Sequence, residues 1–143
     1  MPDSGYMRAK FAQETRIVES GIAYTLLRAT QFFEFAGGIA DSCTVGDRVR
    51  VPAALIQPIA ATEVAAKLAV IAVGAAANSV VELGGPEYLT FEEFIRTALT
   101  HYGDSRPVST DPHARYFGNL LEQRKPGEDL GMYDLDETIR QRP

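Results

Sequence analysis

Hydrophobic residues recur at helical spacing in the first part of the chain. They predict a helix from Tyr6 to Glu19, because side chains three or four positions apart share one face of a helix. Asp3 or Ser4 is suited to cap its start, and Gly21 is suited to follow its end. We expect the apolar face of this helix to consist of Met7, Phe11, Thr15 and Val18.

A nearly continuous apolar run follows this helix and predicts a strand. Ile22 to Ala29 is β-branched, aromatic and apolar, as a strand covered on both faces is. A helix, a short glycine turn and a buried strand are typical of α/β proteins with parallel sheets. The next segment, Gln31 to Ala40, predicts a loop that leads into a short helix. Arg48 to Val51 then predicts a second, short strand.

A third strand is predicted at Ser79 to Leu83, where a compact apolar run ends at a pair of glycines. Before it, a helix is predicted from Glu63 to Val73, with Thr62 as its N-cap. We expect residues 23–28 and 80–83 to pair in parallel. A right-handed connection that contains this helix would join them.

The clearest local signal is a capping box at Thr90. The Thr90 hydroxyl and the Glu93 carboxylate can each bind a backbone N–H at the start of a helix. We expect this helix to run to Tyr102 and to end at Gly103. A further helix is predicted over Asp111 to Arg124. Its inward side chains would be Phe117, Leu120 and Leu121.

Length and charge suit one acidic domain over residues 1–143, because the chain has 143 residues and a formal net charge of −5. The acidic balance argues against a nucleic-acid partner, since such partners select basic surfaces. A single cysteine excludes an internal disulfide and fits a reducing, cytoplasmic location. The longest apolar stretch, Ala65 to Ala77, is too short and too weakly hydrophobic to cross a bilayer, so we expect no membrane partner.

Tyr6 and Lys10 are the strongest candidates for chemistry. Residues at positions i and i+4 lie one turn apart on one helix face. An ammonium beside a phenol favours the phenolate, which eases proton exchange with a carbonyl or hydroxyl group. The structural alternative is a tyrosine packed at a helix start and a solvated lysine. No metal site is predicted, because His101 and His113 lack partners at ligand spacing. Cys43 is not expected to be a nucleophile, because it has no obvious base nearby.

Five segments in order resemble the short-chain dehydrogenase/reductase superfamily, most closely its NmrA-like branch. The likeness covers about residues 3–110, and the position of Glu63 is more often Asp in that family. The segments are Tyr6-x-x-x-Lys10-x-x-x-Glu14, the strand end Thr25-Leu26-Leu27-Arg28, the pair Phe32-Phe33, the stretch Gln57-Pro58-Ile59-Ala60 before Glu63, and Glu82-Leu83-Gly84-Gly85-Pro86-Glu87.

This resemblance implies a dinucleotide-binding fold and an NAD(P)-dependent oxidoreductase that acts on a small molecule. Tyr6 would transfer the proton. Lys10 would bind the nicotinamide ribose and favour the ionised form of that tyrosine. The cofactor, NAD or NADP, would place its nicotinamide beside the chain that follows the strand, at Ala29, Thr30, Gln31 and Phe32. A small subdomain would cover the substrate side with Phe32, Phe33 and Phe35.

The chain departs from that family at the phosphate-binding turn. The family opens with a strand, a glycine-rich turn and a helix N-terminus, which together bind the pyrophosphate. No G-x-G-x-x-G pattern occurs here, and Gly37-Gly38 and Gly84-Gly85 have different surroundings. We therefore expect an α/β fold, a partial Rossmann-type (doubly wound) parallel sheet without the N-terminal nucleotide-binding βαβ half. A truncated frame or a fragment would have this form.

Three interpretations stay open. The chain is an oxidoreductase whose missing half lies upstream or in another chain, an NmrA-like redox-sensing protein that binds a dinucleotide without chemistry, or an inactive remnant. The strand at residues 23–28 would expose an open edge, which favours a homo-oligomer or pairing with another chain. Arg28, near the end of this strand, needs a charge partner, and Glu14 is the candidate.

Overall fold

The computed structural model describes residues 5–116 and 119–120, the last two through their backbone alone. Helices and strands are mixed along this part of the chain, as the α/β class requires. The helices are α1 (Gly5–Glu19), α2 (Ala36–Ser42), α3 (Ala61–Val73) and α4 (Phe91–Tyr102). The strands are β1 (Thr25–Ala29), β2 (Thr44–Val45), β3 (Arg48–Pro52), β4 (Leu55–Ile56), β5 (Ser79–Leu83), β6 (Leu89–Thr90), β7 (Val108–Asp111), β8 (Arg115–Tyr116) and β9 (Asn119–Leu120).

The first helix matches its prediction closely. α1 ends at Glu19, and Gly21 follows with a φ of +72°, a conformation that favours glycine. Met7 is buried, but Val18 is 46% exposed, so the expected apolar face is only partly covered. The expected caps, Asp3 and Ser4, lie outside the described residues. The short helix expected after the aromatic loop is also present, as a 3-10 turn that runs into α2.

β1 and β5 form a parallel pair, as the sequence predicts. Thr25 faces Ser79 at one end of the register, and Ala29 faces Leu83 at the other. α3 precedes β5 and contacts β1, so it is the connecting helix expected between them. β1 is half-buried rather than covered on both faces, because no third strand pairs with either of the two within the described residues. Two strands do not define a doubly wound sheet, so the Rossmann-type architecture stays a prediction.

The hydrophobic core lies beside a second sheet, ordered β2-β3-β7, in which β2 runs antiparallel and β7 parallel to β3. β3 alternates exposed Arg48 and Arg50 with buried Val49 and Val51, so only one of its faces enters the core. α2 and α4 supply most of the other side chains. The core consists of Ala36, Ile39, Ala40, Cys43, Val49, Val51, Ile56, Phe91, Phe94, Ile95, Leu99 and Tyr116.

α4 has the cap and the stop that its sequence predicts. The Thr90 hydroxyl accepts the Glu93 N–H at 3.1 Å, and the Glu93 carboxylate accepts the Thr90 N–H at 2.9 Å. Gly103 ends the helix with a φ of +70°. Both ends of the helix are therefore determined by local contacts. Its apolar residues recur every three or four positions and form one continuous stripe that faces the core. The buried residues of this helix are Phe91, Phe94, Ile95 and Leu99.

α3 begins two residues earlier than predicted, and Thr62 does not cap it. The helix starts at Ala61, with Ala60 in the N-cap position and no side-chain hydrogen bond from that residue. Instead, both carboxylate oxygens of Glu34 accept the Ala61 N–H at 3.1 Å. A side chain from a distant segment therefore satisfies a free amide of the first turn, which a local pattern cannot reveal.

The helix predicted over Asp111 to Arg124 is wrong for the described residues. β7 ends at Asp111, and β8 then pairs with β9 in antiparallel fashion. The Asp111 side chain accepts the His113 N–H at 2.9 Å, so the segment turns instead of starting a helix. Parallel pairing with β3 holds the residues before this turn in an extended conformation. The side chains of Phe117, Leu120 and Leu121 lie outside the described part.

Candidate functional site

Tyr6 and Lys10 lie one turn apart on an exposed face of α1. The Lys10 Nζ is 5.9 Å from the centre of the Tyr6 ring, within the range of cation–π attraction. Tyr6 is 51% exposed and Lys10 is exposed as well, so a ligand can reach both. Lys10 also donates a hydrogen bond to the Gln13 Oε1 at 3.3 Å. The expected shared face is confirmed, while the catalytic role of these residues stays a prediction.

A largely buried ion pair joins α1 to β1. The Arg28 guanidinium donates to both carboxylate oxygens of Glu14, at 2.7 Å from Nη2 and 3.1 Å from Nε. Only 13% of the Arg28 side chain and 18% of the Glu14 side chain are exposed. Glu82 of β5 lies 3.9 Å from the same guanidinium. The expected partnership is confirmed, and its two-point geometry orients the helix against the strand.

This ion pair also determines where Tyr6 and Lys10 stand relative to the strands. α1 leads into β1 through residues 20–24, and its Glu14 meets Arg28, which lies near the carboxyl end of β1. A rise of about 1.5 Å per residue places Lys10 roughly 6 Å, and Tyr6 roughly 12 Å, beyond Glu14 along the helix axis. Because the other end of α1 is joined to the start of β1, we infer that this direction leads toward the carboxyl end of the strand. In open parallel sheets, ligands bind at this edge.

The carboxyl ends of β1 and β5 meet a third segment of the chain. The Thr30 N–H donates to the Leu83 carbonyl at 3.0 Å, and the Thr30 hydroxyl donates to the Gln57 carbonyl. The Ile59 N–H donates to the Gln31 carbonyl at 2.9 Å. The structure thus brings the residues after β1 to the strand edge. Three of their polar groups, two of Thr30 and one of Gln31, are already hydrogen-bonded to other parts of the protein.

Gly84 and Gly85 serve protein packing at this edge. A Cβ on Gly85 would lie 1.8 Å from the Pro58 carbonyl oxygen, and a Cβ on Gly84 would lie 2.9 Å from the Gln57 side chain. The Gln57 side-chain amide also donates to the Gly85 carbonyl. Since neighbouring protein atoms occupy the space above both glycines, the pair does not form a phosphate cradle. This agrees with the sequence, in which their surroundings differ from those of a phosphate loop.

The aromatic residues after β1 form an exposed apolar group. The Phe32 and Phe35 rings stack with their centroids 5.5 Å apart. The Phe33 ring lies 6.0 Å from that of Phe94, which connects the group to the core. Phe33 is 44% exposed and Phe35 is 59% exposed, so apolar surface is available to a ligand. The structure brings Phe32 and Phe35 together, and it turns Phe33 toward α4.

Tyr116 is a residue that the sequence analysis missed. It is 8% exposed, and its ring lies 5.3 Å from that of Phe91. Burial raises the pKa of Tyr116, and the nearby Tyr6 and Cys43 side chains raise it further. A buried neutral phenol therefore lies near the Tyr6 phenol. The incorrect helix over this segment concealed Tyr116, although Asp111-Pro112 is a turn signal that could have revealed it.

The remaining candidates have structural surroundings. Burial raises the pKa of the Cys43 thiol, and a hydrogen bond between Ser42 and Cys43 partly offsets this effect, so the thiol is not activated. The His101 ring contacts that of Tyr102, with centroids 5.6 Å apart. Within residues 5–116 and 119–120, no group of His, Cys, Asp and Glu could hold a metal ion. In the same part of the chain, every helix is too short or too polar to cross a bilayer.

Comparison with known proteins does not place the chain in a family. Neither the protein-family models nor the curated proteins contain a match to this sequence. The site therefore rests on its own geometry: two exposed side chains on α1, the ion pair that joins this helix to β1, and an aromatic group after β1.

Proposed function

We propose that this chain carries the proton-transfer half of an NAD(P)-dependent oxidoreductase of the short-chain dehydrogenase/reductase type. The main support is the shared exposed face of Tyr6 and Lys10, on the helix whose Glu14 binds Arg28 of a parallel strand pair. A phenol, an ammonium and an open strand edge are groups that such chemistry uses. In this proposal, β1 and β5 belong to the C-terminal half of a doubly wound sheet.

Tyr6 would move the proton in either direction. The Lys10 Nζ lies 5.9 Å from the centre of the Tyr6 ring, so both side chains could meet the same substrate and ribose. During alcohol oxidation, the substrate hydroxyl would give its proton to the Tyr6 Oη. During carbonyl reduction, the same oxygen would return a proton to the substrate oxygen. A bound nicotinamide would supply the hydride acceptor or donor, so the chain's own residues handle the proton and hold the reactants.

The described residues fit one end of a dinucleotide and not the other. Lys10 has an exposed ammonium that can bind ribose hydroxyls, and the chain at Ala29–Phe32 lies at the strand edge where a nicotinamide would bind. The pyrophosphate has no comparable site, because Gly84 and Gly85 are packed against Gln57 and Pro58. A further polypeptide segment or chain would therefore have to bind the phosphates. Phe32, Phe33 and Phe35 would face the substrate.

Binding of NADH and of reduced nicotinamide mononucleotide tests this proposal, with nicotinamide fluorescence as the readout. The mononucleotide retains the nicotinamide and its ribose but lacks the adenosine half. Because the chain is proposed to contact only the shared end, both probes should bind with affinities that agree within about threefold. Lys10→Met should weaken both by about tenfold to a hundredfold, since a hydrogen bond from a charged group is worth roughly 1.5–3 kcal/mol.

Two further variants complete the binding experiment. Lys67→Met removes the same charge from an exposed position on α3, and it should leave both affinities unchanged. Tyr6→Phe should retain binding, because the hydroxyl is proposed to transfer a proton and not to anchor the cofactor. Absence of binding for both probes at millimolar concentration would contradict the proposal and favour an inactive remnant.

Turnover separates an enzyme from a redox-sensing protein. The chain is supplied with NADH or NADPH and a set of small aldehydes and ketones, and oxidation of the cofactor is followed. An enzyme should show turnover that Tyr6→Phe abolishes while cofactor binding persists. Cofactor binding without turnover in the wild-type chain would instead identify the redox-sensing alternative.

A further inference from the structure

Two segments of the chain run side by side beyond the carboxyl end of β1. Residues 30–34 follow this strand, and residues 57–61 lead into α3. Phe32 and Ile59 form a parallel bridge at the middle of the two segments. The Ile59 N–H donates to the carbonyl of the residue before Phe32 at 2.9 Å, and the Ile59 carbonyl accepts the N–H of the residue after it at 3.0 Å. The backbone alone therefore holds the middle of the pair.

Two side-chain contacts hold the ends of the pair. At one end, the Thr30 hydroxyl donates to the Gln57 carbonyl. At the other end, both carboxylate oxygens of Glu34 accept the Ala61 N–H at 3.1 Å. Each contact joins residues that are 27 positions apart in the chain, as the central bridge does. A constant separation means that the two segments run parallel and in step from one end to the other.

One segment is anchored in the protein and the other is exposed. Pro58 is fully buried and Ile59 is 3% exposed, and the Gln57 side-chain amide donates to the Gly85 carbonyl. In the other segment, Phe33 is 44% exposed. The exposed segment is therefore positioned mainly by its contacts with the anchored one.

The exposed segment contains the residues that the proposed site uses. Ala29–Phe32 would lie beside the nicotinamide, and the aromatic side chains that follow would face the substrate. Reactants must be held precisely, since a displacement of about 1 Å can cost about a hundredfold in rate. A site on an irregular segment needs support from the residues around it to reach that precision.

We propose that Thr30 and Glu34 are positioning residues, which hold the chain between them against residues 57–61 so that it can receive the nicotinamide. The Thr30 hydroxyl has one proton, which it donates to the Gln57 carbonyl, and both Glu34 oxygens bind the Ala61 N–H. Neither side chain is proposed to touch the reacting atoms. This inference rests on the proposed function, which supplies the place where the nicotinamide binds.

Two double variants separate the end contacts from the backbone bridge. Thr30→Val with Glu34→Ala, the contact-free variant, removes both side-chain contacts and leaves the bridge at Ile59 intact. Thr30→Ser with Glu34→Gln, the rescue variant, retains a hydroxyl and a side-chain carbonyl oxygen, which can make the same two hydrogen bonds.

The matched control removes the same two kinds of group from α4. The Thr100 hydroxyl donates to the Arg96 carbonyl at 2.8 Å, and the Glu93 carboxylate accepts the Thr90 N–H at 2.9 Å. Thr100→Val with Glu93→Ala therefore also removes one hydroxyl–carbonyl bond and one carboxylate–amide bond. It measures how much of any effect comes from lost overall stability.

Amide hydrogen exchange measures the positioning without any cofactor. The Phe33 and Ile59 N–H groups make the two hydrogen bonds of the central bridge. In the contact-free variant, both should exchange about fivefold faster or more, because each lost hydrogen bond favours local opening of the segment. In the rescue variant and in the control, these two amides should exchange within about twofold of the wild-type rate.

Binding of reduced nicotinamide mononucleotide and of NADH, followed by nicotinamide fluorescence, measures the consequence for the site. The contact-free variant should bind both probes about fivefold more weakly or more, because the apparent dissociation constant rises as the fraction of chains in the binding conformation falls. The rescue variant and the control should bind both probes within about twofold of the wild-type chain.

The outcomes separate this inference from the proposed function. If the wild-type and contact-free chains bind the probes equally well, the inference is overturned and the proposed function stands. Equal losses in the control, equal losses in the rescue variant, or unchanged exchange at Phe33 and Ile59 in the contact-free variant would also overturn the inference. A wild-type chain that binds neither probe would overturn the proposed function, and the inference with it.

Discussion

The Arg28 guanidinium and the Glu14 carboxylate form a two-point ion pair, at 2.7 and 3.1 Å, across the boundary between α1 and β1. A carboxylate that accepts two parallel N–H bonds restrains rotation as well as distance. The pair therefore restrains how α1 lies against β1, and α1 is the helix that carries Tyr6 and Lys10.

Removing the arginine should destabilise the fold. Arg28→Met should lower the free energy of unfolding by about 2–3 kcal/mol, because it leaves the largely buried Glu14 without its main partner. Glu14→Gln should cost about 1–2 kcal/mol, since an amide oxygen still accepts one hydrogen bond. Urea unfolding of both single variants and of the double variant gives the coupling energy between the two residues.

The exposed ion pair on α4 is a control for the one above. Arg96 and Glu92 form an i, i+4 pair in which 56% of the Arg96 side chain is exposed. Arg96→Met should change stability by less than about 0.5 kcal/mol, because water competes for exposed charges. Equal losses for Arg28→Met and Arg96→Met would show that the contact between α1 and β1 does not depend on the buried pair.

Gly85 should tolerate no side chain. A Cβ at this position would lie 1.8 Å from the Pro58 carbonyl oxygen, and a backbone atom cannot move aside without shifting the strand edge. We expect Gly85→Ala to lower the free energy of unfolding by about 3 kcal/mol or more. Gly38→Ala is the matched control. This residue lies inside α2 with no atom within 4 Å of a new Cβ, so alanine should stabilise by about 0.5–1 kcal/mol.

Thermal unfolding followed by circular dichroism measures both glycine variants. If Gly85→Ala unfolds at the wild-type temperature, Gly85 does not pack tightly against the Pro58 carbonyl. A phosphate-binding role for the glycine pair would then be open again.

Tyr116 should make the fold sensitive to alkaline pH. Its pKa is raised by burial, so the folded state retains the phenol proton at a pH where the unfolded chain releases it. The stabilising contribution is therefore complete below about pH 10, the ordinary pKa of tyrosine, and is lost as the pH rises above that value. Tyr116→Phe cannot ionise, and it should lose less stability than the wild-type chain between about pH 9 and 11.

Urea unfolding at several pH values between these limits measures the difference. The other ionisable groups are common to both chains, so the difference between the two slopes reports on Tyr116. Identical pH slopes for the two chains would show that Tyr116 ionises equally in the folded and unfolded states.

Much of the secondary structure could be predicted because its signals are local. The capping box at Thr90 and the glycine at 103 determine both ends of α4 through groups within one turn of each other. The apolar runs at residues 22–29 and 79–83 predicted a parallel pair of residues 23–28 and 80–83, and the structure confirms the pair, with the first strand starting at Thr25. One long-range contact was also predicted, because an arginine near the end of an apolar strand needs a carboxylate and Glu14 was suitably placed.

Sequence by itself determined which residues can start a helix, end one or alternate in a strand, and it placed a phenol and an ammonium on one helix face. Only the tertiary structure decided that Glu34 caps α3 and that Tyr116 is buried, with Tyr6 close enough to affect its pKa. It also decided that the Pro58 carbonyl fills the space that a side chain at position 85 would need. These three facts depend on segments that are distant in the chain. Local patterns follow from the geometry of one turn or one strand, whereas such contacts exist only after the chain has folded back on itself.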